Sequence, residues 1–237
     1  MTVENKGVSI VVSTNKVGFL ENIFSNFENQ NWETKELIII LNNDSLILED
    51  WVNRAEQTDH VTVYQLPQSV SLGACLNFGV NRAKYEYIAK FDDDDYYGPF
   101  YLTEAMNTFK KKNADIVGKR TYYMHNSLTK ELRLRFPRRE HRFISKVHGG
   151  TIMAKKEVFC KVRFANISLG EDVNFLYRCV EHGFKIYSTS RYNYTYIRRD
   201  DGTNTWKPRS QYLKATSLRI RNTDHFKAHV NRYYDTD

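Results

Sequence analysis

The sequence lacks the features of membrane-spanning, secreted and disulfide-bonded proteins. No run of about 18 apolar residues occurs in its 237 residues, so no transmembrane helix is expected. Its three cysteines, Cys75, Cys160 and Cys179, are widely spaced and form no CxxC pair, which argues against a zinc cluster and a disulfide framework. The apolar run Val8–Val12 is too short for the core of a signal peptide. We therefore expect a cytoplasmic location.

Motifs for several common activities are also missing. The sequence contains no GxxxxGK(S/T) or GxGxxG loop, which makes kinase-like and dinucleotide-binding functions poor candidates. The tripeptide His148–Gly150 is typical of hydrolase oxyanion loops, but no GxSxG nucleophile motif accompanies it. The net charge of +7 is spread along the chain, apart from a basic stretch at Arg133–Lys146, and no helix-turn-helix, RNA-binding or zinc-finger signature occurs. We expect no nucleic-acid partner.

The first half of the sequence alternates between apolar strand patterns and amphipathic helix patterns. Strands are predicted where β-branched residues run without interruption, and helices where apolar residues recur at three- and four-residue spacing. The predicted order is strand Val8–Ser13, helix around Leu20–Phe27, strand Glu36–Leu41, helix to about Gln57, strand Val61–Leu66, helix Leu72–Ala83 and strand Tyr85–Phe91. This alternation predicts an α/β fold with a mostly parallel central sheet flanked by helices. The lack of repeats and linkers predicts a single domain.

The pattern changes after Gly118. Short strand patterns predict a small mixed or antiparallel extension, at Thr121–Ser127, Lys130–Phe136 and His148–Ala154. The later predicted elements are a helix over Glu171–His182 with Val173, Leu176, Tyr177 and Val180 on one face, two extended stretches at Lys185–Ser190 and Tyr192–Arg199, and a basic helical tail after Lys207.

Four consecutive aspartates, Asp92 to Asp95, follow the fourth predicted strand. Like charges this close repel, and burying one costs several kcal/mol unless a counter-charge arrives. In open α/β sheets, ligands bind outside the carboxyl ends of the strands, where this run falls. An EF-hand is excluded because Tyr97 stands where that loop needs glycine. Mg²⁺ or Mn²⁺, held by one or two carboxylates and by substrate phosphates, fits the run better.

Taken together, these segments resemble the family 2 glycosyltransferases of the GT-A fold, over roughly Val8–Trp206. The resemblance is carried by "VSIVVST", "ELIIILNNDS", "SLGACLNFGVNRAKYEYIAKFDDDDYYGPFYL" and "LGEDVNFLYRCVEHGFKI". It implies a GT-A-like fold and an inverting transferase that moves a sugar from a nucleotide diphosphate donor to an acceptor hydroxyl. It also implies a nucleotide-sugar-binding half at about 1–118, an acceptor-binding and catalytic half at about 119–206, and a basic tail at 207–237.

The site residues of the family map onto this sequence position by position. Asp92 and Asp94 match the DxD carboxylates at the metal and the diphosphate, whereas one of Asp93 and Asp95 is expected to face the donor and the other to be solvated. Asp172 matches the catalytic base and Glu171 lies beside it, although acids at a helix start are also stabilised by the helix dipole. Donor contacts are implied for Ser13, Thr14, Asn42, Asn43, Asp92, Asp93, Gly149, Gly150, Arg198 and Arg199.

Three positions depart from the family pattern. Asn42 and Asn43 stand where relatives carry an aspartate that contacts the base, and an amide both donates and accepts, so a UDP-sugar is favoured while other bases stay open. Leu76 replaces a common arginine. Arg198 or Arg199 occupies a stretch in which relatives have a histidine, and arginine can neutralise the leaving diphosphate but cannot ligate a metal.

The acceptor is the least specified part of the prediction. Arginines of the basic stretch are expected either to attract an anionic acceptor, as a phosphate-bearing glycan or a lipid-linked one at the inner membrane face, or to form a solvated loop: Arg133, Arg135, Arg138, Arg139 and Arg142. Trp206 is expected to stack on an acceptor sugar or to pack in the core. Surface polysaccharide or cell-envelope glycan synthesis is the expected process. A nucleotidyltransferase and an inactive nucleotide-sugar-binding module are the alternatives.

Overall fold

Two β-sheets organise the part of the chain that the computed structural model describes, residues 6–199 and 209–233. The strands are β1 (Val8–Thr14), β2 (Lys35–Leu41), β3 (Val61–Gln65), β4 (Tyr87–Asp92), β5 (Tyr96–Tyr97), β6 (Ile116–Gly118), β7 (Tyr122–Asn126), β8 (Glu131–Arg135), β9 (Arg142–Phe143), β10 (Met153–Lys155), β11 (Ile186–Ser188), β12 (Tyr194–Arg198) and β13 (Ser217–Asn222). The helices are α1 (Leu20–Glu28), α2 (Leu48–Ala55), α3 (Leu72–Arg82), α4 (Tyr101–Lys111), α5 (Lys156–Lys161), α6 (Glu171–Glu181), α7 (Ser210–Ala215) and α8 (Lys227–Val230). No helix in these two ranges is long and apolar enough to cross a membrane.

The larger sheet has the order β3-β2-β1-β4-β10-β6-β11-β9. Strands β1 to β4 are parallel, β10 is antiparallel to its neighbours β4 and β6, and β11 is parallel to β6. The predicted α/β class with a mostly parallel sheet is therefore confirmed. The sequence patterns do not predict α4, β6 or α5, which link the two halves of this sheet.

The larger sheet is covered on both faces, because successive residues of a strand point to opposite sides. On β1, Ile10 and Val12 belong to one apolar cluster, and Val11 belongs to the other. On β2, Ile39 and Ile40 divide in the same way. Residues of α1 and α4 fill the first cluster, and residues of α3 and α6 fill the second. Burial on both faces explains why these strands are uninterrupted apolar runs.

The smaller sheet has the order β13-β8-β7-β12-β5 and is the mixed extension that the sequence predicts. Strand β8 is antiparallel to β7 and β13, while β12 is parallel to β7 and antiparallel to β5. The prediction of a helical tail after Lys207 is wrong in part. Helix α7 is present, but Ser217–Asn222 pairs as β13 along the edge of β8. A free strand edge can pair with any extended segment that reaches it, whatever the local helical pattern.

Two other local predictions are corrected. The stretch His148–Ala154 begins as a 3₁₀ turn, with the Thr151 amide donating to the His148 carbonyl at 2.9 Å, and only its end is extended. On α6, the residues predicted to share a face are mostly exposed: Val173, Tyr177 and Val180. The buried side is instead formed by Phe175, Leu176 and Cys179. The ring of Phe175 stacks on Phe159 and Phe164, and this packing fixes which side of the helix turns inward.

Candidate active site

The acidic run lies at the edge of the larger sheet where β1 and β4 end. Asp92 is the last residue of β4 and is the register partner of Ser13 on β1. The residues after Asp92 turn into β5. Because β1 and β4 are parallel, their carboxyl ends meet at one edge, as in other open α/β sheets. The turn lines a cavity of about 640 Å³, which is within the usual size of small-ligand sites.

Two lysines neutralise the carboxylates that the family resemblance assigns to a metal. The Lys90 ammonium donates to Asp92 Oδ1. Burial opposes ionisation of Asp92, but the charge of Lys90 outweighs it and holds the pKa of Asp92 below its usual range. Lys16 Nζ lies 2.8 Å from Asp94 Oδ2 and 3.1 Å from Asp93 Oδ1. The counter-charge that a buried acidic run requires is therefore supplied by the chain itself.

Neither of the remaining aspartates is solvated, contrary to the prediction that one would be. Asp93 lines the cavity and accepts from Thr14 Oγ1 at 2.6 Å, and burial raises its pKa despite the attraction of Lys16. Asp95 is 1% exposed and accepts from the Tyr194 hydroxyl and from the Ile197 amide. Burial, together with the neighbouring carboxylates, raises the pKa of Asp95 well above its usual range. Asp95 thus ties β12 to the acidic turn.

The donor set at the turn suits a hard divalent cation. Carboxylate oxygens are the ligands that Mg²⁺ and Mn²⁺ prefer, and Asp92 and Asp94 both reach the cavity. Within the described ranges, no group of three or more His, Cys, Asp and Glu side chains forms a complete cation site. Oxygens of a bound phosphate would have to complete the coordination. Lys16 Nζ already lies against Asp93 and Asp94, so a divalent cation that binds there would have to displace this ammonium from the carboxylates.

Lys16 and Lys90 are functional candidates that the sequence interpretation missed. Lys90 is 6% exposed, and although burial lowers its pKa, the charges of Asp92, Glu171 and Asp172 raise it on balance. A lysine inside the apolar strand "YIAKFD" is a signal that could have been used, because a buried cation requires a nearby carboxylate. Lys16 follows β1 by two residues, at the same sheet edge as the acidic run.

Two glycines connect the acidic turn with the start of α6. A Cβ added to Gly149 would lie 1.8 Å from Asp172 Oδ2, and one added to Gly150 would lie 2.6 Å from Asp92 Oδ2. Only glycine allows the backbone to approach these carboxylates so closely. Asp172 Oδ1 also accepts from the Val173 amide at 2.7 Å, as expected for an acid in the first turn of a helix. The carboxylate of Asp172 is therefore held from two sides.

Glu171 and His148 are the titratable neighbours of this carboxylate. Glu171 is 5% exposed, and burial raises its pKa to about 7 although Lys90 opposes the shift. Burial likewise lowers the pKa of His148 to about 4, so its ring is neutral at physiological pH. His148 Nδ1 accepts from the Gly150 amide at 3.3 Å and thereby supports the glycine turn. The sequence drew attention to this histidine only through the hydrolase-like tripeptide.

The cavity gathers most of the predicted donor-binding residues. Predicted residues in its wall are Ser13, Asn42, Asp92, Asp93, Asp94, Gly149, Gly150, Glu171 and Asp172. Thr14 is buried behind Asp93. Asn43 is not a lining residue, because its side chain is used in the turn after β2, where it donates to the Asn15 carbonyl and accepts from Ser45. Neither Arg198 nor Arg199 is a lining residue, although Arg199 Nη1 lies 3.8 Å from Asp94 Oδ2.

The predicted basic stretch is divided between the cavity and the surface. Arg135 and Lys146 line the cavity, together with Arg120, which the sequence interpretation missed. Arg133 instead donates to Ser217 Oγ and pairs with Glu131. The other arginines of the stretch are exposed and are not lining residues: Arg138, Arg139 and Arg142. Trp206 lies outside the described residues.

Comparisons with known proteins identify the family and the fold of the chain. The profile of glycosyl transferase family 2 matches residues 9–165. No curated protein matches the sequence. The fold is similar to S. aureus TarS 1–349 in complex with UDP-GlcNAc, at a TM-score of 0.68 and 15% identity over 82% of this chain and 59% of that chain.

A second similar structure is the mannosyltransferase PcManGT from Pyrobaculum calidifontis in complex with GDP-Man and Mn²⁺, at a TM-score of 0.62 and 13% identity over 83% of this chain and 58% of that chain. The chain thus spans about three fifths of the length of these structures. Because the family profile covers more than half of its residues and the fold agrees, the chain belongs to glycosyl transferase family 2.

Proposed function

We propose that the chain is an inverting, metal-dependent glycosyltransferase that moves a sugar from a nucleotide diphosphate to an acceptor hydroxyl. The observation that carries this proposal is that one cavity brings together two separate sets of carboxylates. Asp92 and Asp94 lie in its wall at the sheet edge, and Asp172 lies against Gly149 in the same wall. Family membership supports the reaction class.

The acidic turn is the proposed diphosphate end. Asp92 and Asp94 would hold Mn²⁺ or Mg²⁺, which when bound supplies positive charge to the diphosphate and stabilises it as a leaving group. Lys16 contacts Asp94, and Arg199 lies near it, so both can offset the charge that the nucleoside diphosphate gains when the sugar departs.

Asn42 is the proposed contact to the base. Its amide nitrogen donates to the Pro67 carbonyl at 2.8 Å, which leaves the amide oxygen to accept the N3–H of uracil. This supports UDP as the nucleotide, although the two similar structures contain UDP-GlcNAc in one case and GDP-Man in the other.

Asp172 is the proposed general base. It would take the proton of the acceptor hydroxyl as that oxygen attacks the anomeric carbon, and a single displacement inverts the configuration. Glu171, with a pKa of about 7, is partly protonated at neutral pH, which limits repulsion between the two adjacent carboxylates. The proposed acceptor is a glycan or a lipid-linked glycan of surface polysaccharide or cell-envelope synthesis, handled in the cytoplasm with peripheral contact at the inner membrane face.

Calorimetry with UDP- and GDP-sugars tests the donor end. Binding should require Mn²⁺ or Mg²⁺, be lost with EDTA and be lost in Asp94→Ala. Asp59→Ala, which removes an exposed aspartate outside the cavity, is the matched control and should bind as the wild type does. Donor affinity that is unchanged by EDTA would contradict metal dependence.

The released product separates the alternatives. A glycosyltransferase releases a nucleoside diphosphate and leaves an inverted anomeric centre that NMR can assign. Release of pyrophosphate would identify a nucleotidyltransferase instead. Donor that binds with Mn²⁺ but is neither transferred nor hydrolysed would identify an inactive binding module.

A further inference from the structure

Part of the cavity wall is cationic and aromatic and has no role in the donor chemistry above. It comprises Arg120, which follows β6, Arg135 at the end of β8, and Phe136 directly after it, and we refer to these three residues as the arginine pocket. Tyr122 and Tyr212 line the cavity beside them.

The arginine pocket is separated from the acidic turn by two rings. The charges of Asp92 and Asp172 act on His148, whose ring centroid lies 4.3 Å from that of Tyr122. The charge of Arg135 in turn acts on Tyr122. The groups that act most strongly on Arg120 are tyrosines and arginines, not the aspartates of the turn. The cavity therefore runs from a carboxylate end, past His148, to a guanidinium end.

Both guanidinium groups of the arginine pocket face one ring. The Arg120 guanidinium carbon lies 3.8 Å from the centroid of Phe136, and that of Arg135 lies 4.7 Å from it. Arg135 is fully buried and donates to the Leu213 carbonyl and to Thr216 Oγ1. In the described part of the chain, the Arg120 guanidinium makes no hydrogen bond and no ion pair, so its donors are available to a ligand.

Phe136 is held in an unusual backbone conformation. Its φ of +42° lies in the left-handed region, which costs a bulky residue about 1–2 kcal/mol. Two hydrogen bonds fix it there: its amide donates to the Thr216 carbonyl at 2.9 Å, and its carbonyl accepts from Thr121 Oγ1 at 2.6 Å. Strain maintained by specific contacts is common at ligand sites. Here it keeps the ring beneath both arginines.

Two cations placed this close repel each other until an anion arrives. Burial and the neighbouring arginines lower the pKa of Arg120, which reports the cost of holding its charge there. Guanidinium groups match phosphate oxygens with paired, charge-assisted hydrogen bonds. A carboxylate can be satisfied by one guanidinium, whereas a phosphate presents enough oxygens and charge for two.

We propose that the arginine pocket binds a phosphate group of the acceptor, so that the glycan which receives the sugar is a phosphate-bearing one. This inference rests on the proposed function, because that function assigns the donor diphosphate to the acidic turn and leaves the guanidinium end to the acceptor. It replaces the broader expectation of an arginine-rich acceptor loop with a site at Arg120 and Arg135.

Glycerol 3-phosphate is the probe for the site. It is titrated into protein whose arginines are labelled with nitrogen-15, and the side-chain signals of Arg120 and Arg135 should shift, whereas neutral glycerol should shift neither. Arg120→Gln should weaken binding by about 10- to 100-fold, as loss of one charged hydrogen-bonding group does. Arg138→Gln is the matched control: Arg138 is exposed, lies outside the cavity and is not among the charges that act most strongly on Arg120, so its loss should leave the affinity unchanged.

A titration of glycerol 3-phosphate in the presence of UDP distinguishes an acceptor phosphate site from a donor phosphate site. Glycerol phosphate should still bind when UDP and Mn²⁺ are saturating. Competition with UDP, or an equal loss of UDP affinity in Arg120→Gln, would assign the arginines to the donor and overturn the inference. The titration of glycerol 3-phosphate without nucleotide does not depend on donor binding. It therefore tests the arginine pocket even if the proposed donor chemistry is wrong.

Two further titrations test whether the ligand must be a phosphate and whether that phosphate belongs to a membrane lipid. Glucuronate that binds as well as glycerol phosphate would overturn the assignment to phosphate. Phosphatidylglycerol vesicles test a headgroup held at a bilayer surface. Vesicle binding that depends on Arg120, without any binding of glycerol phosphate, would overturn the inference in favour of a membrane contact. Binding of the soluble probe alone supports it.

Discussion

Gly149→Ala should disable the proposed base without removing any catalytic group. The new Cβ would lie 1.8 Å from Asp172 Oδ2, whereas ordinary contact begins at 3.4 Å. The carboxylate must therefore retreat by about 1.6 Å, which is the difference between these distances. Rotation of the carboxylate would also break the bond from the Val173 amide to Asp172 Oδ1.

The substitution is expected to lower kcat rather than donor affinity. A misplacement of about 1 Å can reduce a rate by about 10²-fold, so Gly149→Ala should lower kcat by about 10²-fold or more. The KM for the donor should stay unchanged, because Asp92 and Asp94 are not displaced. Gly149 does not have a positive φ, so alanine is compatible with its backbone, and the displacement of the Asp172 carboxylate should lower the free energy of unfolding by about 1–3 kcal/mol.

Two further glycine variants make the assay specific. Gly150→Ala places its Cβ 2.6 Å from Asp92 Oδ2 and should instead weaken metal-dependent donor binding. Gly18→Ala has nothing within 4 Å of the added Cβ and should behave as the wild type. Initial rates of nucleoside diphosphate release, donor calorimetry and urea unfolding are measured for all three. Turnover of Gly149→Ala within threefold of the wild type would refute the reasoning.

Three other predictions follow from single residues. Asp172→Asn should bind donor normally and lose about 10²–10⁴-fold in kcat, and near-normal turnover or a retained anomeric configuration would overturn its role as base. The pKa of Glu171 is about 7 in the folded protein, above its usual 4.5, so between these pH values the folded state stays protonated while the unfolded state ionises. The free energy of unfolding of the wild type, measured in urea, should therefore fall relative to that of Glu171→Gln between pH 4.5 and 7 and then level off. Lys119→Ala leaves the charge of Glu104 unpaired where both side chains are 1% exposed and 2.7 Å apart, and should lower the free energy of unfolding in urea by about 3–5 kcal/mol. Lys119→Met with Glu104→Leu should recover only part of that loss, because the Ser190 amide and carbonyl lose their partners, and an unchanged single variant would contradict the prediction.

Sequence patterns were most informative where one physical requirement dominates. The strand runs of β1 and β2 must be apolar on both faces, and their order predicted the class of the sheet. The family resemblance assigned Asp92, Asp94 and Asp172, and the cavity contains all three, although their roles stay predictions. The local pattern did not identify the buried side of α6, because apolar residues at helical spacing occur on more than one side of this helix. The stacking of Phe175 selected the side that is buried.

The sequence by itself determined the order of elements from β1 to β4, the parallel sheet and the position of the acidic run at its edge, because these depend on local periodicity and on which strand end precedes which loop. Only the tertiary structure decided which groups neutralise that run and what surrounds the base. Lys16 reaches Asp93 from a point 77 residues away along the chain, and Gly149 meets Asp172 across a gap that only the packed fold defines. Arg120 likewise reaches Phe136, the sequence neighbour of Arg135, because β7 pairs with β8. Electrostatic attraction and packing contacts act between residues that are close in space, whatever their separation along the chain. A periodic pattern gives no information about which distant residues become neighbours.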